Sequence, residues 1–262
     1  MKERLEKIKT LSQENAPNLD FLRAYIGCLS DEETKDLLID VSISDINLRE
    51  LVLKKLDYDL EGGFGIEHKK IIRDLIKLAK KSEYKEELSI AYCLTRLLLH
   101  TKGNDQVLII KFFLNSERIS FRNRAYKYLA DHFKKAYYPL VLSAWEKYKD
   151  YRAVIVIINN FDSEYLYDNR LIISRHIKSG SLMGKLYIKI GKIKPEAIEE
   201  LFSYDIKTYC YCLAKLNLQL PDIHSKSIFC SEDNGLLLWS LGRIKAWDLI
   251  EKLESEFNLK RM

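Results

Sequence analysis

The sequence predicts an all-α protein organised as a solenoid of antiparallel helix pairs, and three observations support this. Apolar residues recur at helical spacing along most of the 262-residue chain. The chain has only 10 glycines and 4 prolines, and it lacks the regular, short alternating segments typical of β-sheets. Similar helical units also recur through the second half, which is typical of helical repeat proteins.

The recurring unit is an apolar helix of about three turns that follows a polar turn. Its clearest copy is Gly235–Ile244. The apolar anchors of five such copies are separated by 29, 32, 23 and 28 residues, and they are Leu129, Ile158, Ile190, Leu213 and Leu241. In a solenoid each unit buries its apolar face only against its neighbours, so a loose period of this length indicates that architecture.

The first sixty residues predict four short helices. The chain starts with an amphipathic helix through Ser12, and Asn18 or Asp20 caps a second helix that runs through Leu29. Ser30, with a glutamate three residues later, has the pattern of a capping box at the start of the third. A fourth helix opens at Ser44.

The remaining sequence continues as helices to its end. His68–Lys81 is the clearest amphipathic helix, with an apolar face opposite a charged stripe. Pro139, Pro195 and Pro221 lie near predicted helix starts, where the missing N–H costs little. The other helices are predicted at about residues 86–100, 104–115, 119–133, 138–148, 150–161, 165–178, 181–193, 195–203, 206–216, 221–230, 234–243 and 246–257.

A glycine-rich segment, Glu61–Gly65, is the predicted boundary between two parts of the chain. Three glycines in four residues indicate a flexible or tightly turned connection. This boundary separates an acidic helical segment, residues 1–61, from a repeat region, residues 66–262. The segment does not match a phosphate-binding loop, because Ile66 and Glu67 stand where that loop needs lysine and serine or threonine.

The net charge of +5 is unevenly distributed. Residues 118–194 hold 16 lysines and arginines against 6 acidic residues, whereas residues 1–61 hold 9 against 14. A basic block between acidic ends predicts a local positive field that attracts an acidic protein or a nucleic acid. The alternative is a solvated basic face without a partner.

The basic block contains the candidate binding residues. Arginine suits bidentate contacts with phosphate or carboxylate, and tyrosines between the cations stack bases or pack between helices. The candidates are Arg122, Arg124, Lys127, Lys134, Lys135, Arg152, Arg175 and Lys178.

Two segments carry a resemblance to HEAT-like repeats. Leu238–Ile244 reads LWSLGRI and Tyr187–Ile193 reads YIKIGKI. Each resembles the run of the lyase-type HEAT subclass in which a leucine, a glycine and a further aliphatic residue follow an alanine, although Leu237 and Leu186 replace the alanine here. The resemblance covers about residues 84–257. It implies a right-handed superhelix of helix pairs with a concave binding surface, and no particular ligand.

The resemblance leaves two functions open. The first is a non-catalytic binding scaffold for an acidic macromolecule. The second is a DNA-processing enzyme, because the HEAT-like alkylpurine DNA glycosylases are similar in length and basicity. Those enzymes use aromatic residues and a carboxylate in a basic groove. Candidates for these roles are Trp145, Trp239 and Trp247, with Asp131 or Asp150. No local motif aligns well enough to assign a catalytic residue.

The other composition signals predict a cytoplasmic protein without a cofactor, metal or small-molecule substrate. No run reaches the ~18 apolar residues of a membrane span, and the charged start differs from a secretory signal. Cys210 and Cys212 are two residues apart, and such residues point in different directions on a helix, so we expect buried thiols rather than zinc ligands. Five cysteines without clustering fit reduced thiols.

Overall fold

A computed structural model describes residues 2–14, 17–61, 68–81, 84–229 and 234–259. These residues form helices joined by turns and contain no β-strand, which confirms the all-α prediction. None of the helices within these ranges is both long enough and apolar enough to cross a lipid bilayer.

The first eight α-helices precede a short 3₁₀ helix. They are α1 (Lys2–Ser12), α2 (Leu19–Gly27), α3 (Asp31–Ser44), α4 (Ile46–Glu61), α5 (His68–Ala79), α6 (Tyr84–His100), α7 (Asn104–Leu114) and α8 (Ile119–Asp131), followed by η1 (Lys135–Tyr137). The remaining elements are α9 (Tyr138–Tyr148), α10 (Tyr151–Asn160), α11 (Ser163–Ser174), α12 (Gly180–Gly191), the 3₁₀ helix η2 (Pro195–Leu201), α13 (Ile206–Leu216), α14 (Asp222–Ser225), α15 (Gly235–Arg243) and α16 (Trp247–Leu259).

The predicted caps begin two of the N-terminal helices. Asn18, rather than Asp20, caps α2, because its Oδ1 accepts hydrogen bonds from the amides of Asp20 and Phe21. Ser30 and Glu33 form the predicted capping box of α3. The Ser30 amide donates to Glu33 Oε2 at 2.9 Å, and the Glu33 amide donates to Ser30 Oγ at 3.3 Å. Each cap satisfies amides that have no partner inside the helix.

Two segments predicted as ordinary α-helices differ in the structure. The segment that starts at Pro195 is the 3₁₀ helix η2, whose period of about three residues places Ile198 and Leu201 on one buried face. The segment after Pro221 forms only the four-residue helix α14, which has no buried residue. Without a buried apolar face, tertiary packing does not favour a longer helix there.

The chain divides into two compact units, Met1–Ala125 and Tyr126–Met262, with the division inside α8. The glycines of the predicted boundary, residues 62–65, lie outside the described residues. In the first unit, α6 packs against α3, α4, α5 and α7, and buried leucines and isoleucines fill the space between them.

The second unit packs each helix against its near neighbours in sequence. Contacts join α11 to α12, α12 to η2 and α13, η2 to α13, α13 to α15, and α15 to α16. All five apolar anchors are at most 2% exposed. Cys210 and Cys212 are buried as predicted, and burial raises the pKa of both thiols to about 12. Within the described ranges, no group of three or more His, Cys, Asp or Glu side chains is placed to hold a metal ion.

The close approach of α12 to η2 and α13 depends on Gly191. A Cβ atom at this position would lie 2.5 Å from Leu216 Cδ1 and 2.7 Å from Ile198 Cδ1. Because Ile198 is fully buried, its side chain has little room to move away.

We expect Gly191→Ala to lower the free energy of unfolding by about 1–3 kcal/mol, since the new methyl group overpacks this contact. Urea unfolding monitored by circular dichroism measures the change. Gly242→Ala is the matched control, because no atom outside its own helix backbone and chain neighbours lies within 4 Å of its Cβ position. That control should be neutral or stabilising by up to ~1 kcal/mol, through higher helix propensity. Equal stability of the two variants would contradict the packing argument.

Candidate functional site

A cleft of about 490 Å³ lies in the second unit, between the end of α11, the start of α12 and the end of η2. Its lining combines two of the predicted cations, Arg175 and Lys178, with apolar and aromatic side chains. Both cations are exposed on the turn between α11 and α12. Tyr204 and Asp205, which precede α13, also line the cleft.

Local capping interactions hold the two turns that border the cleft. Ser179 caps α12 by accepting a hydrogen bond from the amide of Leu182. Asp205 caps α13 in the same way, with its Oδ1 3.0 Å from the amide of Thr208. Its other oxygen, Oδ2, accepts from Thr208 Oγ1. Asp205 is therefore engaged with its own helix, whereas Arg175 and Lys178 are exposed cations that line the cleft.

An ion pair and a buried tyrosine connect the helices whose ends form the cleft. Arg170 on α11 binds Glu200 on η2 through Nε and Nη2, at 2.7–3.0 Å. The hydroxyl of Tyr187 on α12 donates to Glu200 Oε2 at 3.2 Å. Burial, and then the neighbouring Glu200 carboxylate, raise the pKa of Tyr187 above its ordinary value of 10. This network links α11, α12 and η2, the three elements whose ends form the cleft.

Aromatic contacts extend the positive surface from the cleft to the preceding turn, between α9 and α10. Lys178 Nζ lies 5.9 Å from the centre of the ring of Tyr151, the residue before Arg152 in the sequence. The ring of Trp145 lies edge-on to His176, which follows Arg175, at 5.0 Å. Lys149 lies over the same Trp145 ring at 4.8 Å. We call the four exposed cations of these turns and of the start of α10 the basic edge: Lys149, Arg152, Arg175 and Lys178.

The other predicted cations lie outside these two turns in the sequence. Arg122 and Arg124 belong to the first unit, and Arg122 is only 5% exposed. Its Nη1 donates to the carbonyls of Ser116 and Glu117. Arg124 donates to Thr95 Oγ1, and burial lowers the pKa of Arg124.

Lys127, Lys134 and Lys135 lie in the second unit and are exposed. Lys134 and Lys135 follow Phe133, whose ring packs against Phe161. Phe161 comes directly after α10, whereas Arg152 lies at the start of that helix. Because α10 has ten residues, these ends are about 15 Å apart. The structure thus groups three of the eight predicted cations around neighbouring turns.

The side chains proposed for an enzymatic role are also dispersed. Asp150 is 6% exposed and accepts a hydrogen bond from the Tyr126 hydroxyl at 3.1 Å, and Trp145 is also buried. Asp131 is exposed on α8. Trp239 and Trp247 are 44% and 69% exposed, on α15 and α16. Asp150 and Trp145 thus lie at the α9–α10 turn, whereas the other two tryptophans belong to the C-terminal helices.

The sequence interpretation missed Lys149 and the apolar lining of the cleft. Lys149 ends α9 in the left-handed conformation, at φ 52°, which turns the chain towards α10. The apolar lining had a usable signal in three consecutive apolar residues, Leu171, Ile172 and Ile173. A helix cannot bury three consecutive side chains on one face. Only Ile173 is buried, and Leu171 and Ile172 are about half exposed.

Comparison with known proteins adds no assignment: the chain matches no family model, no curated protein and no solved structure. The site is therefore interpreted from its geometry.

The raised pKa of Tyr187 predicts a loss of stability at alkaline pH. The folded protein keeps this proton where the unfolded chain releases it, so the contribution is complete below about pH 10 and is lost as pH rises further. Urea unfolding at several pH values measures the effect. Above about pH 10, Tyr187→Phe should reduce the loss by up to about 1.4 kcal/mol per pH unit. An unchanged slope in Tyr187→Phe would refute the assignment.

Proposed function

We propose that this chain is a HEAT-like helical repeat scaffold whose basic edge binds an acidic macromolecular partner, either a protein or a nucleic acid. The observation that carries this proposal is the proximity of the α9–α10 and α11–α12 turns, which carry Lys149, Arg175 and Lys178, with Arg152 at the start of α10. Binding, without chemistry, is the activity that such a surface supports best.

Hydrogen bonds between residues about one apolar-anchor spacing apart support the repeat architecture. In the second unit, Arg170 binds Glu200 and Lys189 binds the carbonyl of Asn159, each across 30 residues. In the first unit, Arg118 binds Glu87 across 31 residues. Two further bonds span 28 and 29 residues. These separations fall within the 23–32 residue spacing of the apolar anchors, as expected where each repeat contacts the next.

The pairing of charges favours an external partner for the basic edge. In the part of the chain that the structure describes, none of its four cations forms an ion pair with a carboxylate. Lys149 and Lys178 instead lie over aromatic rings. Such cations keep their charge available for phosphate or carboxylate groups, which Arg152 and Arg175 can bind in bidentate fashion.

A DNA-processing enzyme resembling the alkylpurine glycosylases is the second candidate. The observation that favours it is Asp150, a carboxylate buried beside the basic edge and bonded to Tyr126. The scaffold is the stronger candidate because Asp150 does not line the cleft. The carboxylate that does line it, Asp205, caps α13. Release of alkylated bases from duplex DNA, abolished by Asp150→Asn, would establish the enzymatic function.

The binding proposal predicts a loss of affinity when the basic edge is reversed in charge. Fluorescence anisotropy with duplex DNA, single-stranded DNA, RNA and an acidic peptide, each over a salt series, measures binding. The double variant Arg175→Glu with Lys178→Glu should lower the affinity for the probe that binds by about tenfold or more at low salt. The difference from the wild-type affinity should shrink as the salt concentration rises.

Lys185→Glu with Lys226→Glu is the matched control, because both lysines are exposed in the same unit and lie outside the basic edge. The net charge changes equally in the two double variants, so a nonspecific charge effect would weaken both to the same extent. That result, or the absence of binding by all four probes at low salt, would refute the role of the basic edge.

A further inference from the structure

We infer that the cleft beside the basic edge receives one bulky apolar side chain of an acidic peptide segment. This inference rests on the proposed function, because the same cations hold the partner. It goes further by naming the partner as a protein and by specifying two features of its binding motif: an apolar anchor residue and flanking carboxylates.

The apolar part of the motif follows from exposed side chains that line the cleft. Leu171 on α11 is 55% exposed and Tyr204 before α13 is 83% exposed. Ile177 and Met183 also line the cleft and are partly exposed. The volume of about 490 Å³ lies within the ~300–1,000 Å³ range typical of ligand pockets. An apolar side chain inserted there would remove these surfaces from water.

The acidic part of the motif follows from the charges at the rim. Arg175 and Lys178 lie on the α11–α12 turn, and Lys178 Nζ lies 5.9 Å from the ring of Tyr151, the residue before Arg152. The acidic group of the cleft, Asp205, already binds the amide and hydroxyl of Thr208. A peptide whose anchor occupies the cleft would therefore place its flanking carboxylates beside Arg175 and Lys178.

The chemistry of the lining favours a peptide over a nucleic acid. A nucleobase binds best on an aromatic face, as in single-strand binding proteins. Of the two tyrosines in the cleft, Tyr187 is 3% exposed and its hydroxyl is bonded to Glu200, which leaves Tyr204 as the accessible ring. The remaining apolar lining is aliphatic or thioether, and such side chains pack well around leucine, methionine or phenylalanine.

A display library of short, fully randomised peptides tests the inference on the whole chain, because it samples many binding motifs and does not require the natural partner. Selected peptides should share one leucine, methionine or aromatic residue flanked by aspartate or glutamate. A labelled selected peptide is then compared by anisotropy with two derivatives. Replacement of its apolar anchor by serine should weaken binding about tenfold or more, as expected for a central interface anchor. Replacement of its acidic residues by glutamine should remove most of the salt dependence.

Variants of the protein locate the contact. Leu171→Ser and Tyr204→Ala should each lower the affinity for the selected peptide about tenfold. Each should change the affinity for the anchor-to-serine derivative less than twofold. Ile223→Ser is the matched control, because Ile223 is 77% exposed and lies outside the cleft. Both altered cleft residues are largely exposed, so thermal unfolding should show folded variants.

The outcomes separate this inference from the proposed function. If selected peptides are acidic without a shared apolar residue, or if Leu171→Ser has no effect while Arg175→Glu weakens binding, the basic edge stands and the anchor site is refuted. If single-stranded DNA or RNA binds and the library yields no enriched motif, the partner is a nucleic acid and the peptide inference is refuted. If neither class binds, both proposals fail.

Discussion

The burial of each apolar helix face against the nearest helices in the chain is the constraint on which the second unit depends. The anchors Ile158, Ile190 and Leu213 are excluded from water by neighbouring helices of the same unit. The approach is closest at Gly191, where α12, η2 and α13 meet without room for a methyl group. Because the apolar contacts have little directionality, capping and ion-pair interactions are needed to specify how the helices end and align.

The turns between helices carry the exposed charged side chains of this arrangement. Their backbone groups and polar side chains remain in contact with water, so cations on them are tolerated without internal partners. Arg175 and Lys178 have this position, whereas Arg122 lies within a helix and donates to two backbone carbonyls. Arginine is therefore an exposed surface cation at position 175 and part of a local structural contact at position 122. The cleft arises where two such turns and the end of η2 leave apolar side chains uncovered.

Much of the fold was predictable from local pattern. Apolar periodicity predicted helices, and the Ser30–Glu33 pair predicted the start of α3, because both signals depend on residues close in sequence. The shape of the segment after Pro195 was less predictable. Its 3₁₀ conformation is consistent with the burial of Ile198 and Leu201 on one face, and the same residues are also compatible with an α-helix. The candidate site was predictable only as a basic region, since three of eight cations converge and Lys149 was missed.

By itself, the sequence determined the helical class, the apolar anchors, the main helix starts and the concentration of charge in residues 118–194. These properties follow from composition and from spacing within a few turns of helix. Only the tertiary structure decided which cations are exposed together, which arginine is buried and where Leu171 and Tyr204 face one cleft. The physical reason is that these relations join residues on different helices, far apart in sequence, and their geometry depends on how those helices pack.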